Sequence, residues 1–207
     1  MRVCLVSAEF APLNGGGAGT YASLMTRALL DAGHETHVLS YDERLRAQGA
    51  TLRPGARFHF IDWDSPPTNL PGYAAHPQRH AMGVYERLRR LHEEVGFDYV
   101  EFPDFGGEGY FAIRAKRALG EFAGVAMGIR LHMTCEQIHE LNGRAWVSPE
   151  DAIVRHMERD AIAGADLLLA PCGAMLAVLR AELGAALDPA RAAAHVVRYP
   201  FDPALLG

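Results

Sequence analysis

Two stretches of this sequence hold residue types suited to binding polar ligands and acting on them. The first is Pro12-Leu13-Asn14-Gly15-Gly16-Gly17-Ala18-Gly19-Thr20, lying between an apolar run and an amphipathic one. Glycines in such a place admit positive φ and let a ligand come within hydrogen-bonding distance of main-chain amides. A helix opening at Thr20 adds the positive end of its dipole, which favours a phosphate or another oxyanion. Gly15, Gly16, Gly17 and Gly19 are therefore the candidate anion-binding residues. A corner that merely turns the chain is the bland alternative, and three adjacent glycines at a helix opening speak against it.

The second stretch runs from Asp98 to His132. The segment DYVEF, Asp98 to Phe102, leads into a polar, glycine-rich turn, so Glu101, Asp104 and Glu108 gather near one strand end. Carboxylates at the carboxyl edge of a sheet suit hydrogen bonding to vicinal hydroxyls. VAMGIRLH, Val125 to His132, ends in an imidazole that can exchange a proton with a hydroxyl in its neutral form. Each has a bland counterpart. His132 could be a core histidine satisfied by backbone groups, and the acids could be solvated loop charges. The solvated reading is preferred for Glu108, and Asp104 stays open between the two. Arg130, facing away from Leu131 in an otherwise apolar strand, pairs with a phosphate or with a buried carboxylate such as Glu101, and the pattern does not separate these. Trp63 and Tyr73 either stack on a ligand ring or cap the core.

These residues need a frame, and the chain alternates short β-rich runs with amphipathic helices. That is the pattern of a parallel sheet covered on both faces. RVCLVS at Arg2 to Ser7 has no solvent face and reads as a central strand, with further strands at Glu35 to Ser40 and Arg57 to Asp62. Strands follow at 98–102, 125–132, 167–170 and 195–199, giving about seven in all. Helices are expected from Thr20 to Asp31, with Gly33 as the stop, and from Arg79 to Val95, with Met82, Tyr85, Leu88, Leu91 and Val95 on the buried stripe. Another runs from about Tyr110 to Leu119. Ser148-Pro149-Glu150-Asp151 is a capping box opening a helix to about Ala163, and one more reaches about Leu183. Between strand three and its helix, Trp63 to Gln78 holds Pro66, Pro67, Pro71 and Pro77 and reads as a long loop. The fold class is thus α/β and Rossmann-like, one domain over residues 1–200, with 201–207 beginning a linker.

Bulk properties narrow the partners. Of the 207 residues, 49% are hydrophobic and 22% charged, and the formal net charge of −5 argues against non-specific nucleic-acid binding. Cys4, Cys135 and Cys172 form no CxxC pair, so neither a zinc knuckle nor a disulfide framework is expected, no metal is assigned, and a reducing cytoplasm is the expected location. Met1 to Ser7 reads as a core strand and not as a signal peptide, and no apolar run is long enough to span a bilayer.

At this point the ordered segments resemble family 4 glycosyltransferases. SAEFAPLNGGGAGTYASLMTRALLDAGHE, from Ser7 onward, is similar to the family's opening strand, proline-containing loop, glycine cluster, helix and Gly-His-Glu turn. DYVEFPDFGGEG resembles the fourth strand and its turn, and Val125 to His132 the strand that ends in an active-site histidine. ERDAIAGADLLLAP and VVRYPFD look like the later helix and strand and the junction into a second domain; Cys172 stands where serine is commonest. The resemblance implies the amino-terminal half of a GT-B fold and transfer of a sugar from a nucleotide-sugar donor with retained anomeric configuration. It implies His132 as an active-site residue, and with it His132 is expected to be catalytic; on their own positions the glycine loop is expected to meet the donor phosphates and Glu101, Asp104 and Arg130 the acceptor. No cofactor is implied beyond the donor as substrate. The family's carboxyl-terminal domain, which carries the nucleotide pocket, would be the partner, and without it this half is expected to be inactive.

Two other readings stay open at this level. A nicotinamide-dependent oxidoreductase would carry GxGxxG almost directly after the strand, whereas seven residues separate Ser7 from Gly15 and Thr20 stands at the third glycine's place. Asp42 could imitate the ribose-binding acid. A non-catalytic sugar-binding module is the other.

Overall fold

The computed structural model describes residues 1–13, 16–61, 75–145, 148–187 and 193–201. Seven parallel strands form one sheet in the order β3-β2-β1-β4-β5-β6-β7. They are β1 (Arg2–Val6), β2 (Glu35–Ser40), β3 (Arg57–Phe60), β4 (Tyr99–Pro103), β5 (Ala126–Arg130), β6 (Leu167–Ala170) and β7 (Ala193–Val196). The helices between them are α1 (Gly17–Asp31), α2 (Glu43–Leu52), α3 (His76–Val95), α4 (Tyr110–Leu119), α5 (Cys135–Leu141), α6 (Pro149–Gly164) and α7 (Gly173–Leu183). This is the Rossmann-like α/β class that the alternating pattern implies.

Burial on both faces explains the apolar strands. Adjacent residues of β2 point to opposite sides, so Leu39 joins one core cluster with Val6, Phe102 and Ile129, while Val38 joins another with Phe10, Ala22 and Leu45. The strand order reverses direction between β1 and β4, which pair in parallel through Val3, Cys4 and Leu5. Loops leaving β1 and β4 at their carboxyl ends must therefore diverge to opposite sides, opening the crevice where such sheets bind ligands.

Two helices have no counterpart in the sequence reading. In α2 only Leu45 and Gly49 are buried, and in α5 no residue is, so neither carries the apolar stripe that announces a helix. Both instead begin at side-chain caps, Asp42 and Thr134. The first helix also starts earlier than expected: Gly16 caps it, and the Thr20 hydroxyl donates to the Gly16 carbonyl at 3.1 Å instead of capping. The box at Ser148 does form, with the Ser148 amide donating to Asp151 Oδ2 at 3.0 Å. Gly33, at φ 77°, ends α1 as expected. The third helix begins at His76, three residues before the expected start; Trp63 and Tyr73, and the linker beyond Phe201, lie outside the described residues. Among the described residues no helix is long and apolar enough to cross a membrane.

Candidate active site

A cleft of about 1120 Å³ opens at the crevice between β1 and β4. Glu9, Gly16 and Gly17 line it from the first loop, Tyr41 from the end of β2, Glu108 from the turn after β4, and His132 with Tyr199 from the far side. The glycine loop and the imidazole thus face one space. Gly15 lies outside the described residues.

The loop after β1 is folded around Glu9. Its carboxylate accepts the Gly19 amide at 3.3 Å, and Ser7 Oγ donates to its carbonyl at 2.7 Å. A Cβ on Gly16 would lie 2.0 Å from Glu9 Oε2, and one on Gly19 would lie 2.9 Å from Glu9 Cβ and 3.1 Å from the Phe10 amide nitrogen. Gly19 is therefore demanded by the backbone of residues 9 and 10 pressing against the helix start, whereas at Gly16 the contact is with the movable end of the Glu9 side chain. Gly19 is buried behind that contact, while Gly17 is exposed with open space at its Cα. The carboxylate sits at the positive end of α1 and takes the Gly19 amide, while the first-turn amides of Gly17 and Ala18 lack intrahelical partners.

His132 follows β5 and is held from two directions. Its backbone amide donates to both oxygens of Asp104 at 3.0 Å, and the Met133 amide adds a third bond at 3.3 Å. On the ring, Nδ1 lies 2.8 Å from the Tyr199 hydroxyl, which donates its single proton to the Leu131 carbonyl at 3.1 Å. That arrangement assigns the imidazole proton to Nδ1 and leaves Nε2 as an acceptor. Burial first, then the nearby Arg130 charge, pushes the imidazole down to about 4, so it is neutral at physiological pH.

Glu101, Asp104 and Arg130, expected to meet an acceptor, are 3%, 3% and 1% exposed and turn their polar atoms inward. Glu101 receives the hydroxyls of Tyr21 at 2.5 Å and Tyr99 at 2.8 Å. Arg130 lies over the Tyr21 ring at 4.5 Å and the Tyr199 ring at 5.6 Å and donates to the Val197 carbonyl at 2.7 Å. Burial raises the Glu101 carboxyl, opposed by its tyrosine bonds and by the Arg130 charge, while Arg130 Nε and Nη2 are buried with no hydrogen-bond partner among the described residues. Glu101, Tyr21, Arg130, Tyr199 and His132 form one packed chain from β4 to the cleft. Asp104 is pushed up to about 7, chiefly by burial, against its bonds from His132 and Met133.

Glu108 reverses its expected place. It is 4% exposed, not solvated, and lies 3.4 Å from His80 Nε2 on α3. Asp42 caps α2 by accepting the Arg44 amide at 2.9 Å and binds the Arg44 guanidinium, a committed role that leaves little for a ribose. Glu9, Tyr21, Glu158 and Tyr199 are residues that sequence reasoning left out of the site, and Glu108 was weighed there but preferred as a solvated charge. Of the four, only Glu9 carried a signal, an acid two positions beyond a sheet-edge serine. Glu158, 1% exposed, accepts the amides of Gly106 at 2.7 Å and Cys135 at 3.0 Å, tying the turn after β4 to the start of α5.

With this geometry in view, the family model described as a glycosyl transferase 4-like domain matches residues 16–199. The chain belongs to this family. The glycosyl transferase 4-like domain is similar in fold to sucrose-phosphate synthase from Thermosynechococcus elongatus, at a TM-score of 0.64 and 13% identity over 95% of this chain and 47% of that one. It is similar to Phytolacca americana UGT2 complexed with UDP-2fluoro-glucose and pterostilbene, at 0.58 and 12% over 98% and 55%. It is also similar to the catalytic domain of Arabidopsis thaliana Starch Synthase IV bound to ADP and acarbose, at 0.56 and 13% over 94% and 51%. These are GT-B glycosyltransferases, and the chain spans about half the length of each. No curated protein matches it in sequence.

Proposed function

We propose that this glycosyl transferase 4-like domain is the amino-terminal, acceptor-side half of a retaining glycosyltransferase that moves a sugar from a nucleotide-sugar donor to a hydroxyl acceptor. The observation that carries the reading is His132, neutral and fixed by Asp104 and Tyr199, lining one cleft with the start of α1. The imidazole Nε2 accepts a hydrogen bond from a sugar hydroxyl beside the reacting carbon. As the glycosidic bond of the donor breaks, the departing diphosphate gains charge, and the amides of Gly17 and Ala18 oppose it. The carboxylate of Glu9 restricts that charge to the outer edge of the helix start. Retention follows from the resemblance of Asp98 to Gly109 and Val125 to His132 to the family segments. The donor is substrate and no further cofactor is assigned. Three unpaired cysteines support a reducing, cytoplasmic setting.

In this reading Glu101, Asp104 and Arg130 position the site from behind, and the donor's nucleotide belongs to a second domain closing over the cleft, which excludes water. The test is transfer of labelled sugar from nucleotide donors to hydroxyl acceptors by this chain alone and together with its donor-binding domain. Turnover only in the combined sample is expected. Robust turnover by the chain alone overturns the division of labour, and none in either sample overturns the activity.

A further inference from the structure

The cleft contains one carboxylate whose hydrogen bonding is incomplete. Glu108 is 4% exposed, yet its Oε2 has no hydrogen-bond partner among the described residues, while Oε1 faces His80 Nε2 at 3.4 Å. A buried carboxylate oxygen left without a donor is costly, and such a cost persists where a ligand supplies the donor. The residue lines the cleft with Tyr41 and His132, so that donor would come from whatever the cleft holds. The Tyr41 ring packs edge-on against His80 with centroids 4.2 Å apart, which steadies the imidazole behind Glu108. The turn that carries Glu108 is itself anchored, through Glu158 accepting the Gly106 amide at 2.7 Å.

The charge around it restricts the ligand. Glu9, Asp42, Glu43 and Glu108 line the cleft; Arg44 binds Asp42 Oδ2 at 3.2 Å and Arg46 binds Glu43 at 3.0 Å, which leaves Glu9 and Glu108 without a guanidinium partner among the described residues. An acceptor bearing phosphate or carboxylate would meet an acidic wall at this end.

We propose that Glu108 recognises the acceptor, taking a hydrogen bond from a hydroxyl of an uncharged, polyhydroxylated molecule bound in the cleft. This rests on the acceptor-side reading above and names its substrate class. A hydroxyl given to a carboxylate in a dry site is a strong contact, so its loss weakens binding about tenfold or more.

Saturation-transfer NMR on the 207-residue chain tests it, with methyl hexopyranosides and myo-inositol as uncharged probes and glucose 6-phosphate and glucuronate as anionic ones. Uncharged probes are expected to bind, anionic ones more weakly, and Glu108→Gln to weaken the former about tenfold. The carboxyl carbon resonance of Glu108 in the unsubstituted chain is expected to shift on binding, which answers the question without a variant. Binding with that resonance unmoved and Glu108→Gln as tight as the parent overturns the role of Glu108 and leaves the acceptor-side reading standing. Tighter binding of the anionic probes that Glu108→Gln weakens overturns the substrate class. No binding of any probe overturns both the proposal and the reading beneath it.

Discussion

Asp104 receives the backbone amide of His132 through both carboxylate oxygens, each at 3.0 Å, so a side chain at the end of β4 fixes where β5 delivers its imidazole. The acid does its work from a position 3% exposed, and nothing from the cleft needs to reach it. Asp104→Asn keeps one acceptor oxygen but turns an amide donor towards the same N–H groups. It is expected to lower turnover in the complete enzyme nearly as much as His132→Ala, with KM for the donor little changed. A large KM effect with kcat preserved would show that Asp104 touches substrate after all.

His132→Ala itself removes the hydrogen-bonding ring while leaving its backbone bonds to Asp104 in place. Turnover is expected to fall about 100-fold, in the range of a lost positioned acid, base or hydrogen-bond donor, with the folded state retained. Steady-state kinetics alongside a thermal melt decide this, and unchanged kinetics remove His132 from the site.

Gly17→Ala and Gly19→Ala should part company. An alanine at 19 presses on the backbone of Phe10 at 3.1 Å and on Glu9 Cβ at 2.9 Å, whereas at 17 nothing lies within 4 Å. The first is expected to cost about 1–3 kcal/mol of stability, as overpacking does, and the second almost none. Denaturant titration of the two variants measures the difference; equal losses would mean the loop does not pack on Glu9.

Glu101→Gln takes the charge from beside the buried Arg130 guanidinium and leaves it among tyrosine rings. Losing that compensating charge, with two tyrosine hydroxyls left facing an amide in place of a carboxylate, is expected to cost about 1–3 kcal/mol, read from chemical denaturation. A neutral outcome would show that the ring faces alone satisfy Arg130.

Stability towards acid follows from opposed shifts. The Asp104 carboxyl, raised from 3.8 to about 7, contributes stability that is full below the lower value and lost as pH rises through the upper one. The His132 imidazole, lowered from 6.5 to about 4, contributes stability that is full above the upper value and lost as pH falls to the lower one. Across that shared window the two slopes cancel in part. The stacked pair His37 and His59, with Nδ1 and Nε2 2.8 Å apart, adds to the loss, since burial lowers both and takes His59 to about 4, while the raised Glu101 and Glu158 carboxyls act with Asp104 against it. Relative to the unsubstituted protein, Tm on acidification below about pH 6.5 is therefore expected to fall less in His59→Gln and more steeply in Asp104→Asn. Melts across that range check both, and parallel curves for the three proteins would refute the account.

The sequence by itself determined the sheet. Strands with no polar face, RVCLVS and LLLA, can be stable only between two helical layers, and glycine-rich turns at their ends mark where a ligand approaches. It also determined that His132 and Glu101 stand at strand ends, because alternation and strand length are local properties. What only the tertiary structure decided is which of those residues face the cleft. Orientation depends on partners far away in the chain: Tyr21 turns Glu101 inward across 80 positions, Tyr199 reaches His132 across 67, and Glu158 reaches Gly106 across 52. Glu108 read as solvated since a charged residue in a glycine turn ordinarily is, and only the packing of α3 and of the chain leaving β2 brings His80 and Tyr41 to it. The helices α2 and α5 escaped notice for a related reason, as they bury too little for their periodicity to register. Residue type and spacing fix which groups are present at the sheet edge; desolvation by distant elements decides which remain available to a ligand.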